Sequence, residues 1–309
     1  MKESRPFDVL ILGGGIAGMT AAIYLARARA NVAILESSIC GGLCNYTYVV
    51  ENFPSYISIH GMDLMQKVRD QVDHLGVTID EVCDIESMDI VGKEKIIETD
   101  EAVYRASALI VATGRKPIPL VLPNWDDVHY CSICDGFPYV GKRVLVVGGG
   151  NSGFDESLYL MRIGVSHLTL IEVADRFFAA RTAQDELLKN ANVESLTNTR
   201  VVDVTLANKK LQAAVVENVA SGLTETIPVD GIFAFLGQKP ETDFLKGMVD
   251  LDDDGYVMAR DDMSTNVPGV YSAGDLNRKR YRQLTTAMSD GTIAALECEK
   301  YVASVRSRV

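Results

Sequence analysis

Phe7-Asp8-Val9-Leu10-Ile11-Leu12-Gly13-Gly14-Gly15-Ile16-Ala17-Gly18 decides how this chain folds. Phe7 to Leu12 has the length and composition of a buried parallel strand, and the apolar periodicity that follows predicts a helix to about Arg29. Between them the glycines at 13, 15 and 18 keep the GxGxxG spacing. Gly13 permits a tight turn, Gly15 lets a pyrophosphate approach the backbone, and Gly18 lets the helix pack closely. The free N–H groups of the helix's first turn then face the phosphates. A second strand, Asn31 to Leu35, ends at Glu36, 18 positions past Gly18. A carboxylate there can accept a hydrogen bond from a ribose hydroxyl.

The construction recurs. Arg143 to Val147 leads into Gly148-Gly149-Gly150-Asn151-Ser152-Gly153, a helix is expected through Leu160, and a strand, His167 to Ile171, ends at Glu172. Here Gly148, Gly150 and Gly153 carry the spacing, and the acid lies 19 positions past the last of them. A single GxGxxG is weak evidence, but two in the same strand-turn-helix context, each followed by its acid, describe two dinucleotide cradles.

A near-repeat marks the joints. Thr113-Gly114-Arg115-Lys116-Pro117 and Leu236-Gly237-Gln238-Lys239-Pro240 each follow a strand-like run, Ala108 to Ala112 and Gly231 to Phe235. Glycine and proline at such points read as chain crossings between compact bodies. The expected fold is therefore α/β, with two Rossmann-like dinucleotide-binding domains, the second inserted into the first. Residues 1–117 and 241–309 form the discontinuous domain, and residues 118–240 the insertion. After the second crossing, Gly269-Val270-Tyr271-Ser272-Ala273-Gly274-Asp275 is a strand closed by a glycine and an acid, which would let Asp275 reach a flavin near the first cradle.

The chain has 309 residues, a net charge of -12 and six cysteines. Its acidity disfavours nucleic acid and anionic membranes, leaving small molecules and proteins as partners. Val9 to Leu25 carries no charge, but its four glycines belong to the cradle, so no transmembrane segment is expected. The N-terminus has no signal-peptide pattern, and a cytoplasmic protein starting at Met1 is expected. In that compartment cysteines are normally reduced, so any cysteine chemistry should be catalytic or metal-binding.

Cys131-Ser132-Ile133-Cys134-Asp135-Gly136 stands just upstream of the second cradle. Two intervening residues allow a disulfide across one turn, a thiolate at such a site can have a lowered pKa, and Asp135 adds a carboxyl group suited to moving protons. The rival is half a zinc site completed by Cys40 and Cys44. It fits poorly, because a nucleotide would occupy the space after Glu36 and a C-x3-C pair is poor support for structural zinc, so no metal is assigned. Cys83 and Cys298 read as buried, inert thiols.

In their order and spacing, GGGIAG, Val50-Glu51-Asn52-Phe53-Pro54, ATGRKP, CSICDG, GGGNSG, and Ala273-Gly274-Asp275 with Tyr281-Arg282-Gln283 resemble the low-molecular-weight thioredoxin reductase family over nearly the whole chain. The resemblance implies an FAD-dependent dithiol/disulfide oxidoreductase. It implies FAD held by Gly13, Gly15, Gly18, Glu36, Asn52, Asp275, Arg282 and Gln283. It further implies that Cys134 faces the flavin, that Cys131 attacks a thioredoxin-like or other protein disulfide, that Asp135 is the proton donor, and that the protein is a homodimer whose inserted domain swings.

Two departures qualify that reading. The FAD loop has Gly41-Gly42-Leu43-Cys44 where the family typically has glutamine after the glycines. More consequentially, the arginine-rich run that pairs with the 2′-phosphate of NADPH is replaced by Glu172, Val173, Ala174 and Phe178. A carboxylate repels that phosphate but accepts from a free 2′-hydroxyl, so NADPH is disfavoured. The second cradle is left to NADH, to a second FAD or another dinucleotide as in diflavin relatives, or to no nucleotide, with ferredoxin as direct donor. Arg278, Lys279, Arg280 and Arg282 would supply a local basic patch for that acidic protein, unless they are simply a solvated loop. A flavin-based redox sensor without turnover is the alternative from another functional class.

Overall fold

The computed structural model of the chain describes residues 2–307. In chain order, β1 (Glu3–Leu12) turns into α1 (Ile16–Arg27), followed by β2 (Val32–Glu36), α2 (Gly61–His74), β3 (Thr78–Glu81), the hairpin β4 (Ile85–Asp89) and β5 (Lys95–Thr99), and β6 (Ala102–Val111). The chain then crosses through β7 (Arg115–Pro117) into α3 (Ser132–Asp135), β8 (Arg143–Val147), α4 (Asn151–Ile163), β9 (His167–Ile171), α5 (Arg181–Leu187) and β10 (Val193–Leu196). Three further strands follow, β11 (Thr199–Ala207), β12 (Lys210–Asn218) and β13 (Thr224–Pro228), and then β14 (Gly231–Ala234). It returns through β15 (Gln238–Pro240) to β16 (Val270–Ser272) and α6 (Leu284–Arg306). Two compact units result. One takes the described residues up to Lys116 and those from Lys239 onward, the other Pro117–Gln238.

The first unit is built on a seven-stranded sheet in the order β3-β2-β1-β6-β5-β4, with β16 also beside β6. Along the edge away from β1, β6 is long enough to serve two more partners: residues 103–106 pair antiparallel with β5, and residues 109–111 pair parallel with β16. Side chains alternate across a strand, so β1 feeds two cores. Val9 and Ile11 pack with α1, α2 and α6, whereas Leu10 and Leu12 pack with Ile90, Ile97, Leu245 and Leu276 on the other face. α1 is buried over most of its circumference, as its apolar sequence requires.

The second unit repeats the plan with a parallel sheet, β10-β9-β8-β14, and a separate antiparallel sheet, β11-β12-β13. Val144 and Val146 face Phe154, Leu160 and Leu187 of the helical layer, while Leu145 and Val147 face Leu211, Ala214 and Ile227 of the antiparallel layer. Some bounds differ from expectation by a few residues. α1 stops at Arg27 because Arg29 takes φ 63°, and α4 runs past Leu160 until Gly164, in left-handed conformation, ends it. Among the described residues no helix is long and apolar enough to cross a membrane.

The two strand-turn-helix joints are held by the same close approach. Gly13 and Gly148 take φ of 103° and 116°, and a Cβ on Gly18 or Gly153 would collide with the carbonyl of Gly13 or Gly148. Gly15 has nothing within 4 Å of where its Cβ would stand. Gly18→Ala and Gly153→Ala should each destabilise the unit that carries them by on the order of 1–3 kcal/mol through overpacking. Gly15→Ala should stay within about 0.5 kcal/mol. Urea unfolding midpoints check the contrast.

Candidate redox and dinucleotide sites

At the first joint, the N–H of Gly13 donates to the Leu35 carbonyl (2.9 Å) and that of Gly14 to Oε2 of Glu36 (2.7 Å). Oε1 of Glu36 accepts from the Ser38 N–H at 2.9 Å, and the Gly41 N–H donates back to the Gly14 carbonyl at 2.9 Å. The acid that spacing assigned to a ribose therefore also braces the cradle. α1 begins after Gly15 with no capping side chain and no acid in its first turn, leaving its N-terminal dipole open to an anion.

The second joint reproduces this network. Gly148 N–H donates to the Ile171 carbonyl (2.9 Å), Gly149 N–H to Oε2 of Glu172 (2.7 Å), Ala174 N–H to its Oε1 (2.9 Å), and Phe178 N–H to the Gly149 carbonyl (2.8 Å). Gly150 precedes α4 with no capping side chain and no contact within 4 Å of its missing Cβ. The loops differ in what they set against the turn. Cys40 lies against Gly14 in the first cradle, and the Phe177 ring lies against Gly149 in the second. The cations after β9 are occupied: Arg176 stacks on Phe178 at 5.4 Å, and Arg181 stands 3.7 Å from Asp185 on its own helix.

Residues far apart in sequence gather in the first unit. Gly274 packs against Ala17 in the first turn of α1, and Gly291 of α6 packs against the Ala17 backbone. This brings Asp275 beside the first cradle. Its Oδ1 is buried and accepts no hydrogen bond, although the Lys279 ammonium stands 3.2 Å away. The Nδ2 of Asn52 donates to Oε1 of Gln283 at 3.2 Å, and Gln283 caps α6. Arg282 lies 4.2 Å over the Tyr256 ring with its Nε 3.4 Å from the Asp275 carbonyl. The basic run is thus largely engaged internally: Lys279 pairs with Asp275 and Asp290, and Arg278 stands 4.0 Å from Asp252.

In the second unit Cys131 and Cys134 form a disulfide. Cys131 precedes α3 in extended conformation, and its Sγ accepts from the Cys134 N–H at 3.0 Å. Cys131 is 6% exposed, whereas Cys134 is exposed. Two groups that sequence reasoning missed surround the pair. The Ser132 N–H donates to Oε2 of Glu156 on α4 at 3.0 Å, and burial pushes the Glu156 carboxyl up to about 6 despite that hydrogen bond. Nδ1 of His129 stands 3.4 Å from Oδ2 of Asp135, and its Nε2 is 2.7 Å from the Tyr139 hydroxyl. Glu156 sits one turn into the second glycine helix and His129 two residues before the pair. Only that nearness to recognised motifs could have flagged them. Of the remaining cysteines, Cys44, Cys83 and Cys298 are buried and Cys40 partly so, and burial raises the thiol pKa of all four.

The family described as pyridine nucleotide-disulphide oxidoreductase matches residues 7–291. A Clostridium pasteurianum protein described as a 34.2 kDa protein in the rubredoxin operon is 40% identical, covering 98% of this chain and 99% of its own. A thioredoxin reductase of Listeria monocytogenes is 34% identical, covering 99% and 97%. Among solved structures, Lactococcus lactis thioredoxin reductase superposes with a TM-score of 0.89 at 33% identity, covering 96% of this chain and 99% of that one. The T. acidophilum thioredoxin reductase gives 0.88 at 33% identity, covering 97% and 99%.

Glu156 has a measurable signature. Its folded pKa of about 6 lies above the ordinary 4.5, so between those values the native state holds the extra proton. Its contribution to stability therefore falls as pH rises from about 4.5 to about 6 and stays at its lower level above that window. Glu156→Gln, which can still accept from Ser132, should flatten this slope. Urea midpoints of variant and parent across the window test it.

Proposed function

The chain belongs to the pyridine nucleotide-disulphide oxidoreductase family, a family of flavin-dependent disulfide oxidoreductases, and from that premise we propose that it passes electrons between FAD in the first cradle and a protein disulfide through Cys131 and Cys134, with a donor other than NADPH. The observation that carries this reading is the disulfide itself, in the same unit as a cradle that opposes a carboxylate, not a cation, to a 2′-phosphate.

The first cradle suits FAD. The open face at Gly15 admits a pyrophosphate, and Oδ1 of Asp275, ion-paired with Lys279 but accepting no hydrogen bond, can accept from a hydroxyl of the ribityl chain. Bound FAD supplies a two-electron carrier. Cys134 takes the flavin side and Cys131 the partner side. In the reducing direction, the Cys131 thiolate attacks the partner disulfide, forming a mixed disulfide and releasing one partner thiolate. Cys134 then attacks Cys131 Sγ, restoring the Cys131–Cys134 bond and releasing the second. Asp135 supplies a proton to a leaving thiolate. Cys131 must be uncovered for the first step, since it is 6% exposed here. A thioredoxin-like protein is the partner that the relatives favour.

The second cradle suits an adenosine with a free 2′-hydroxyl, present in both FAD and NADH. Each oxygen of Glu172 accepts one backbone N–H and keeps a further lone pair for that hydroxyl. The internally paired basic run offers little to an acidic ferredoxin, so a nucleotide is the favoured occupant.

Cys131→Ser and Cys134→Ser should both keep FAD and lose protein-disulfide turnover. Near-parental turnover in both would remove the cysteine assignment. In anaerobic stopped flow, NADPH should reduce the flavin poorly even at high concentration. If the second cradle holds FAD, denatured protein should release about two flavins per chain; if it holds NADH, flavin reduction by NADH should outpace that by NADPH. Fast reduction with tight NADPH binding would overturn the donor assignment.

A further inference from the structure

His129 is one of four histidines in the chain, and its ring is fixed on every side. Its N–H donates to the Ile232 carbonyl at 2.9 Å, and its carbonyl accepts from Ala234 at 2.8 Å, so the residue is stitched to β14. The Phe233 ring lies 4.9 Å from the imidazole on one side and the Tyr139 ring meets it edge-on at 5.2 Å. The side chain is 16% exposed. It lies between two polar groups, the Tyr139 hydroxyl at Nε2 and the Asp135 carboxylate at Nδ1. Asp135 immediately follows Cys134 in sequence.

We propose that His129 is the proton reservoir of the Cys131/Cys134 exchange, acting through Asp135. The proposal rests on the redox assignment of that pair. Burial and the carboxylates of Asp127, Asp135 and Asp230 push the Tyr139 phenol above its ordinary value, so it stays a neutral hydroxyl that can donate or accept. The Tyr139 hydroxyl oxygen can accept from Nε2–H, so a protonated imidazole offers its Nδ1–H to Asp135, 3.4 Å away. A carboxyl group is ordinarily empty of its proton at neutral pH, whereas an imidazole exchanges one there. The charged and titratable groups around the ring are Asp127, whose Oδ1 is 4.0 Å from Nε2, Asp135 on α3, and Tyr139, with Lys142 over the Tyr139 ring at 5.4 Å. β14 presents only the Phe233 ring.

The step balances without another reagent. When the partner disulfide breaks, one S–S bond is exchanged for another and an alkyl thiolate leaves. Asp135 delivers the proton that thiolate takes up, and Nδ1 of the protonated His129 ring replaces it on Asp135. The imidazole, left neutral with its remaining proton on Nε2, regains the other from solvent. No electrons move in the proton relay.

This role predicts a dependence on the leaving group. An aryl thiolate departs without a proton, whereas an alkyl thiolate, with an ordinary pKa of about 8.5, gains from one. The purified holoenzyme, reduced with dithiothreitol and freed of excess, would be mixed with hydroxyethyl disulfide or with dithiobis(nitrobenzoate) across neutral pH, and oxidation of Cys131/Cys134 followed by quench and alkylation. In the parent, the alkyl-to-aryl rate ratio should fall as pH rises through the imidazole range. In His129→Asn the ratio should drop by on the order of tenfold at neutral pH and lose its pH dependence. His129→Gln serves as the second variant if His129→Asn does not fold. A ratio with parental size and pH dependence in a folded variant, or equal slowing of both disulfides, overturns the relay. Failure of the parent to reduce even the aryl disulfide would instead overturn the assignment of the cysteine pair.

Discussion

Two backbone contacts organise both units: the α-carbons of Gly18 and Gly153 rest against the carbonyls of Gly13 and Gly148, where no side chain fits. Because the helix can come this close, its first turn lies at the end of the strand and its unpaired N–H groups converge on one point. The second glycine of each loop then offers its N–H to an acid at the end of the neighbouring strand, Glu36, or just past it, Glu172, and the loop beyond the acid folds back through Gly41 or Phe178. Any bulk at the contact would push the helix off the sheet and disperse the whole arrangement.

The duplicated frame makes its differences informative. Both acids hold the same two kinds of backbone donor, so Glu172 is no stray surface charge but a fixed carboxylate beside the second turn. Phe177 lies against this turn where the first cradle has Cys40, and Arg176 is committed to Phe178. A carboxylate fixed at this point repels a phosphate and can accept from a hydroxyl.

Around the disulfide the local chemistry is crowded with proton-binding groups. Glu156 fixes the start of α3 through the Ser132 N–H, and its burial keeps its carboxyl unusually proton-hungry. On another side, Asp135 shares the surroundings of His129 and Tyr139. Thiol-disulfide exchange depends on which sulfur is a thiolate and which leaving group finds a proton.

The strand-turn-helix cradles and their acids were legible in the sequence because each depends on residues within about forty positions and on the one amino acid that lacks a side chain. The cysteine pair was legible for the same reason, its two thiols being three positions apart. The β4–β5 hairpin and the β11–β13 sheet were not read, since their pairing partners are set by packing. Nor could spacing reveal that Asn52 meets Gln283, 231 positions away, or that Glu156 reaches Ser132. Those contacts exist only once α6 has docked on α1 and α3 lies against α4. Local backbone geometry is written in the order of residues, whereas a buried group's proton affinity and partners arise from what the folded chain places around it.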